Sequence, residues 1–566
     1  MNYQNRNITT KSNNSKQESN LQTPKYSTSQ TLVNYYITLM FTIFPLFFSN
    51  AYFNIRHDKY NLFLILSSII LVAEILIFIF SYNYKQSSNL SNQAKNRNNS
   101  VVKKSKAHKN NSSFANKYIF KSFTLPDIAM LALLVFSFIS ALLSEYKTDA
   151  FLGAEKGRNH GFLIIALYVA IYFLITRCFY YIEYIFYALS ITCIAIYILA
   201  ILNTFYIDPL GMFARISNEK TINNFISTIG NKNILSSFIC ITLPVHISLA
   251  VYTSKIMPRI LYYIASGFGF AALMVSTSDS GLLGIGIFMV VFLIIIARKI
   301  TFIKRFSLSI AVMLTFSKLV HFISYLNDDI TKEIDKIQRF FIYSNEVYII
   351  ILAFALIAVL FYIIDYKKPN MTLSKAVPIS LGVLAGLAVV SVISIMVYFS
   401  IFDTETKLGS LEKFLRFNYK WGTHRGYMWI CSMEIFKDST FLQKLFGFGP
   451  DTFYHAFEPY FMGLQKFGDS STNAAHNEYI NYLITIGITG ILAYLTALFS
   501  IIYRAIRSAK TNPLAIVCLS AIIGYSAQAF INITQPITTP LFIIFLALTE
   551  TAVRNADKDC NISEKL

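Results

Sequence analysis

The sequence predicts an all-α polytopic membrane protein with about fourteen transmembrane helices and one long, partly helical outer loop ahead of the twelfth span. Three observations carry this. Of 566 residues, 55% are hydrophobic and only 14% charged, roughly half the charged share of a soluble domain. Mean hydropathy is +0.50. Apolar runs of about 20 residues, the length that crosses a bilayer as a helix, recur along the chain. Such a composition excludes a secreted disulfide scaffold, a disordered chain and a cytosolic enzyme. With 22 glycines and no sustained heptad, collagen-like and coiled-coil readings fail as well.

The elements follow in order. Residues 1–31 form a polar cytoplasmic tail without the apolar core of a cleavable signal peptide, so the first span is read as an uncleaved anchor. Two spans near 32–53 and 61–82 lead into a basic, Asn- and Ser-rich linker over 84–124. A membrane core over 125–400 holds spans near 125–144, 161–177, 183–203, 233–253, 259–276, 281–297, 306–325, 346–365 and 376–400. An outer segment over 401–478 precedes the last spans, near 479–503, 514–533 and 537–553, and a short tail over 554–566.

The net charge of +19 sits mostly in the polar stretches and in short loops. Between Tyr84 and Lys121 stand Lys85, Lys95, Arg97, Lys103, Lys104, Lys106, Lys109, Lys117 and Lys121, with no acidic residue. That composition predicts a disordered linker near anionic lipid headgroups and not a nucleic-acid site. Excess Lys and Arg marks cytoplasmic loops. Here they carry Lys255 and Arg259, then Arg298, Lys299, Lys304 and Arg305, then Lys367, Lys368 and Lys375, then Arg504, Arg507 and Lys510. The opposite loops mix signs, as in Asp328, Asp329, Lys332, Glu333, Asp335, Lys336 and Arg339. Both termini then lie in the cytoplasm and 401–478 on the outer face. Cys178, Cys193, Cys240, Cys431, Cys518 and Cys560 are scattered, with neither metal-ligand nor disulfide spacing. Glu74, Lys318 and His246 fall within spans, where ionisable groups are costly. Each is a functional candidate or an internally paired residue.

The outer segment has the composition of ordered structure. It holds Trp421 and Trp429, and Arg425–Asp438 reads as a short helix with Met428, Trp429, Met433, Ile435 and Phe436 as its apolar residues. A second helix is predicted over 451–464. Aromatic amphipathic helices rest at membrane interfaces, and a loop of this length is usually functional. Its motifs are Arg425-Gly426-Tyr427-Met428-Trp429, then Phe446-Gly447-Phe448-Gly449-Pro450-Asp451-Thr452-Phe453. His476-Asn477 follows, and nine residues later Gly487-Ile488-Thr489-Gly490.

Together these resemble the O-antigen ligase and polymerase superfamily of bacterial envelopes. Its late outer loop sets an Arg near a Trp, a Gly-x-Gly-x-x-x-Phe turn and a His-Asn-x9-Gly-x-x-Gly helix entry. Three earlier segments are similar to family segments. They are Gly153–Gly161 with Arg158 before a span, Gly230-Asn231-Lys232-Asn233, and Thr277-Ser278-Asp279-Ser280-Gly281. In the last, many members have Ser-Arg-Gly where this chain has Asp279. The resemblance implies a glycosyltransferase of the bacterial inner membrane with its site on the periplasmic face. It would move a saccharide from a polyprenyl diphosphate onto a glycolipid of the lipid A-core kind, or, as a polymerase, onto another lipid-linked chain. No cofactor, bound metal or nucleic-acid partner is implied.

The chemistry asks for the same groups. A leaving diphosphate needs positive charge, and guanidinium forks bind phosphate oxygens in pairs. Arginine is available outside, near the bilayer surface, at Arg425 and Arg158, with Arg215 as a third. Asp328-Asp329 is the only acidic pair in the outer loops, so a metal-independent, arginine-based, inverting site is the expectation. The acceptor hydroxyl needs a base, and His476, with an ordinary pKa of about 6.5, can accept a proton at neutral pH. Asn477 supports it, and Gly487 and Gly490, three apart, are read as one close-packing helix face. His424 and His455 are read as ordinary loop residues. The competing class is a lipid-linked oligosaccharide flippase, which predicts internal repeats and interrupted helices; no repeat is visible. A transferase of the polyprenyl-phosphate-sugar class would want acids in the first outer loop, over 54–60, where only Asp58 stands. A receptor explains none of the motifs.

Overall fold

The computed structural model describes residues 27–98, 123–327, 331–509 and 512–556. Residues 1–26, most of the basic linker (Lys103, Lys104, Lys106, Lys109, Lys117 and Lys121 included), Asp328, Asp329, Lys510 and 557–566 with Cys560 lie outside the described residues.

The protein is an all-α polytopic membrane protein. Among the described residues, ten helices are long and apolar enough to cross a bilayer. They are Ile55–Tyr82, Leu125–Leu143, Tyr184–Thr204, Lys232–Tyr252, Ile256–Val275, Asp279–Ile296, Ile300–Leu326, Glu346–Lys367, Ala376–Phe402 and Glu478–Ser508. Phe162–Cys178 and Pro513–Ala529 are apolar but shorter. Helices Thr28–Phe41 and Thr539–Ala556 stand at the first and last expected spans. Each expected span thus coincides with a helix, and the described strands are the two-residue pair Phe225–Ile226 and Gly230–Asn231.

Two boundaries differ from expectation for physical reasons. The first span is not one helix over 32–53. It stops at Phe41 and resumes only for Ile43–Leu46, because Pro45 lacks the N–H that would bond the Phe41 carbonyl and its ring crowds that carbonyl. The chain end left there is satisfied by Lys59, whose buried Nζ donates to the carbonyls of Phe44, Pro45 and Phe47 at 3.0, 2.9 and 3.0 Å. The second helix runs on from Ile55 to Asn98, into the segment expected to be an irregular linker. No Gly or Pro interrupts 83–98, and adding a residue to an existing helix costs far less than nucleating one.

Lys232–Tyr252 is the central helix, packed against Ile256–Val275, Asp279–Ile296 and Pro513–Ala529. Glu346–Lys367 and Ala376–Val397 are peripheral, the latter with no buried residue. Lipid tolerates this, since it is as apolar as the side chains and an uncovered face carries no penalty.

One end of the bundle is tied by buried charge. Asp127 Oδ2 accepts from Arg177 at 3.0 Å and Arg554 at 2.5 Å, while Glu550 accepts from Arg554 at 2.8 Å and Arg504 at 3.1 Å. These side chains join Leu125–Leu143, Phe162–Cys178, Glu478–Ser508 and Thr539–Ala556 at one level. Because Arg504 is near the C-terminal end of Glu478–Ser508, the N-terminal end at Glu478 lies at the far end of the bundle. Removing one partner of such a network strands a buried charge at about 3–5 kcal/mol. Asp127→Ala is therefore expected to lower the thermal unfolding midpoint of the detergent-solubilised protein sharply, and an unchanged midpoint would contradict the assignment.

Candidate active site

The outer segment is a small structure with its own core, built on Met428, Trp429, Cys431, Ile435, Phe453, Phe457, Leu464 and Ala475, resting on Ile484 of the following helix. The expected helix from Arg425 forms. The residues before it, Gly422, Thr423 and His424, all have positive φ, so regular helix begins at Arg425 itself. Trp429 packs on Trp421, with ring centroids 5.1 Å apart, and its Nε1 donates to the Ala475 carbonyl at 3.0 Å. That bond pins the residue preceding His476. The second expected helix is broken into Phe453–Phe457, a 3-10 turn at Glu458–Tyr460, and Phe461–Gln465; Pro459 lies at the first break.

The two glycine motifs interlock. Gly487 does not form a helical packing face with Gly490; it breaks the helix, at φ 69° and ψ −174°. The break leaves the Ile484 and Thr485 carbonyls free to accept from the N–H groups of Phe448 and Gly449 at 3.0 and 2.9 Å. Thr489 Oγ1 donates to the Leu445 carbonyl at 2.8 Å. A Cβ at Gly447 would strike the Thr485 carbonyl, and one at Gly487 the Leu445 carbonyl. The backbones touch there, which only glycine allows. Asn477 proves to be the cap of the Glu478–Ser508 helix, accepting from the N–H groups of Tyr479 and Ile480, both at 3.0 Å. His476 is left in the left-handed region at φ 51°, turned out of the helix into the space above it.

Asp451, inside the Gly-x-Gly-x-x-x-Phe turn, reaches across to the first outer loop. Its carboxylate accepts the N–H groups of Ala154 at 2.9 Å, Arg158 at 2.9 and 3.0 Å, and His160 at 3.1 Å. These bonds hold the loop that carries Arg158 against the loop that carries His476. Burial pushes Asp451 up to about 6 despite the three amides and the Arg158 charge.

Two cavities meet at His476. One, of about 1490 Å³, is an apolar groove between Asp279–Ile296 and Ala376–Val397, walled by residues such as Leu283, Ile287, Val290, Ile294 and Val389, with Arg425 and His476 also lining it. From Asp279 to Ile294 it follows roughly 20 Å of helix. The other, of about 630 Å³, is a polar cleft lined by Arg158, Lys156, Arg56 and Tyr454, and again by His476. Arg425 donates to the Gly422 carbonyl at 2.7 Å, rather than to Glu434 or Asp438, and its Nε is buried without a partner, as is that of Arg158. Burial pulls Arg158 down to about 10 and lowers Arg425. His476 is pushed down to about 3, first by burial and then by the Arg158 and Arg425 charges. Burial, reinforced by the charges of Arg158 and Arg425, therefore keeps the imidazole neutral.

The structure thus brings His476, Arg425 and Arg158 together. It does not bring Arg215, which is exposed, donates to Asn50 Oδ1 at 3.3 Å, and lines neither cavity. Asp279 lines the groove and accepts from Gln338 at 3.4 Å. His455 bonds Asp149 at 2.9 Å and stacks on Tyr146, and His424 stacks on Phe467. Lys318 donates to the Ile342 and Ser344 carbonyls, an internal pairing. Glu74 Oε1 and both His246 ring nitrogens are buried without partners. Among the described residues no three His, Cys, Asp or Glu side chains gather as a metal site. Sequence reasoning passed over Glu478, fully buried and accepting from Tyr494 at 2.8 Å and Tyr525 at 2.9 Å. It also gave Asp451 no role, although the residue stood inside a quoted motif.

Fold and site together define a multi-pass membrane protein with a histidine and two arginines at the junction of a lipid-facing groove and a polar cleft. Residues 337–495 match the family model described as O-antigen ligase, which supports the O-antigen ligase and polymerase superfamily. That stretch includes Arg425, the Gly447–Gly449 turn, His476 and the Gly487 break. No curated protein matches the chain.

Two expectations follow. Gly487→Ala combines a left-handed backbone with a carbonyl clash, so it should cost about 2–4 kcal/mol, read as a lower unfolding midpoint and faster proteolysis of the outer segment; wild-type resistance would contradict the interlock. Asp451 is a carboxylate above about pH 6 and protonated below it, where it loses acceptor capacity for the Arg158 loop. The kcat/KM of the reaction should fall as pH drops through about 6. Asp451→Asn should be flat from pH 5 to 7 and on the order of 10²-fold slower, as misplaced binding groups are. A wild-type acid limb retained in that variant would assign it elsewhere.

Proposed function

We propose that the protein is a membrane glycan transferase that moves a saccharide from a polyprenyl diphosphate onto a glycolipid acceptor, in the manner of an O-antigen ligase. The observation that supports it best is the position of His476, reachable from an apolar groove on one side and a polar cleft on the other, between Arg425 and Arg158. A polyprenyl chain is a lipid in need of an apolar path from the bilayer, and the groove beside the uncovered Ala376–Val397 helix supplies one. Its diphosphate would arrive at Arg425, with Arg158 on the far side of the base.

In the reaction the acceptor hydroxyl gives its proton to the His476 imidazole as its oxygen attacks the anomeric carbon. The new C–O bond forms on the face opposite the departing phosphate oxygen, so configuration inverts, and the bond electrons leave on the diphosphate. The guanidinium groups stabilise that growing charge in a partly dry site, where such contacts are worth most. A bound diphosphate would offset the two cations, the secondary cause of the His476 depression after burial, and so would raise the proton affinity of the base. The site would face the periplasm, an orientation that the Lys and Arg bias of the opposite loops supports.

An assay of the purified protein with a polyprenyl-diphosphate glycan tests this. His476→Ala should lose about 10²–10⁴ in rate, and Arg425→Ala should raise the donor KM and lower kcat. Undiminished transfer by both variants would sink these roles. The product separates the two family activities: one chain on a glycolipid marks a ligase, and a ladder of repeats on the polyprenyl carrier marks a polymerase.

A further inference from the structure

The polar cleft has features the donor does not use. Its volume of about 630 Å³ falls within the range of small-molecule sites, and it shares His476, Met428 and Asp469 with the groove. Three cations line it, Arg56, Lys156 and Arg158, against two carboxylates, Glu155 and Asp469, both exposed. Arg56 comes from the first turn of the Ile55–Asn98 helix and spends NH1 on the Gly157 carbonyl at 3.0 Å. Asn473 holds the same strip from the other wall, donating to the Lys156 and Gly157 carbonyls at 3.1 and 3.4 Å. Lys156 is exposed, with Nζ 5.0 Å above the Tyr454 ring. The Arg158 Nε is buried without a partner, and Arg56 is close enough to Arg158 to disfavour its charge.

Cations held this near one another repel, and an entering anion relieves the repulsion. Guanidinium and ammonium groups only donate, so the partner must be an acceptor-rich anion. Lys156 lies over the Tyr454 ring and donates to its hydroxyl at 3.4 Å, and Tyr454, Thr472 and Asn473 add side-chain oxygens to the lining that can accept from sugar hydroxyls. We infer that this cleft binds an acidic sugar, one bearing a carboxylate or a phosphate, with Arg56 and Lys156 reading its charge next to the acceptor hydroxyl. The inference rests on His476 being the base between two substrates. Arg56 and Lys156 both lie outside residues 337–495, so this recognition is supplied by parts of the chain beyond the family match.

The test is a titration of the full-length protein in detergent micelles with glucuronic acid and glucose 6-phosphate, glucose being the neutral control. Both acidic sugars should bind saturably, and Lys156→Gln and Arg56→Gln should each weaken them at least tenfold. Lys156→Arg, which keeps the charge at an exposed position, should retain binding. Absence of saturable binding, equal affinity for glucose, or unchanged affinity in both Gln variants would overturn the inference. Binding requires no turnover, so this result is independent of whether the protein transfers a glycan. In the transfer assay glucuronic acid should compete with the acceptor; competition with the donor instead would overturn the placement beside the acceptor hydroxyl.

Discussion

The backbone contact at Gly487 is the constraint on which the site depends. A helix entering lipid normally keeps its carbonyls in its own ladder, because an unpaired one in hydrocarbon costs several kcal/mol. Here the ladder opens at Gly487, and the Ile484 and Thr485 carbonyls are taken up by Phe448 and Gly449. The outer segment is thereby attached to the membrane helix as rigidly as one strand to another. Once it is attached, the Trp429–Ala475 bond and the Asn477 cap leave His476 a single place to stand. Asp451, one turn further along, extends the same attachment to the Arg158 loop.

That construction explains the electrostatics of the site. Two guanidiniums beside one imidazole form an arrangement that a soluble protein would relax by turning a side chain to water. The anchoring of three loops to one another keeps both charges beside the ring. Catalytic sites gain from such fixed charge, since nothing has to reorganise at the moment of reaction.

The fold was largely legible in the sequence because lipid imposes a length and a polarity on every crossing helix. It failed at the first span, where Pro45 breaks a run that stays apolar across the break. That His476 and Arg425 come together was legible from motif spacing. Arg215 was misread because composition places an arginine near the surface but cannot say whether its side chain turns inward. Asp451 escaped for a different reason: its partners are backbone amides 291 to 297 residues away, and a main-chain donor leaves no mark in the sequence. The roles of Gly487 and Gly490 were misassigned because three-residue spacing suits a helical face, and a positive φ is visible only in the folded chain.

The most direct measurement is a structure determined with a polyprenyl diphosphate bound. The account predicts isoprenoid density between Asp279–Ile296 and Ala376–Val397, and a diphosphate against Arg425 within reach of His476. Density for the diphosphate away from both residues, or lipid seated elsewhere with that groove closed, would contradict it.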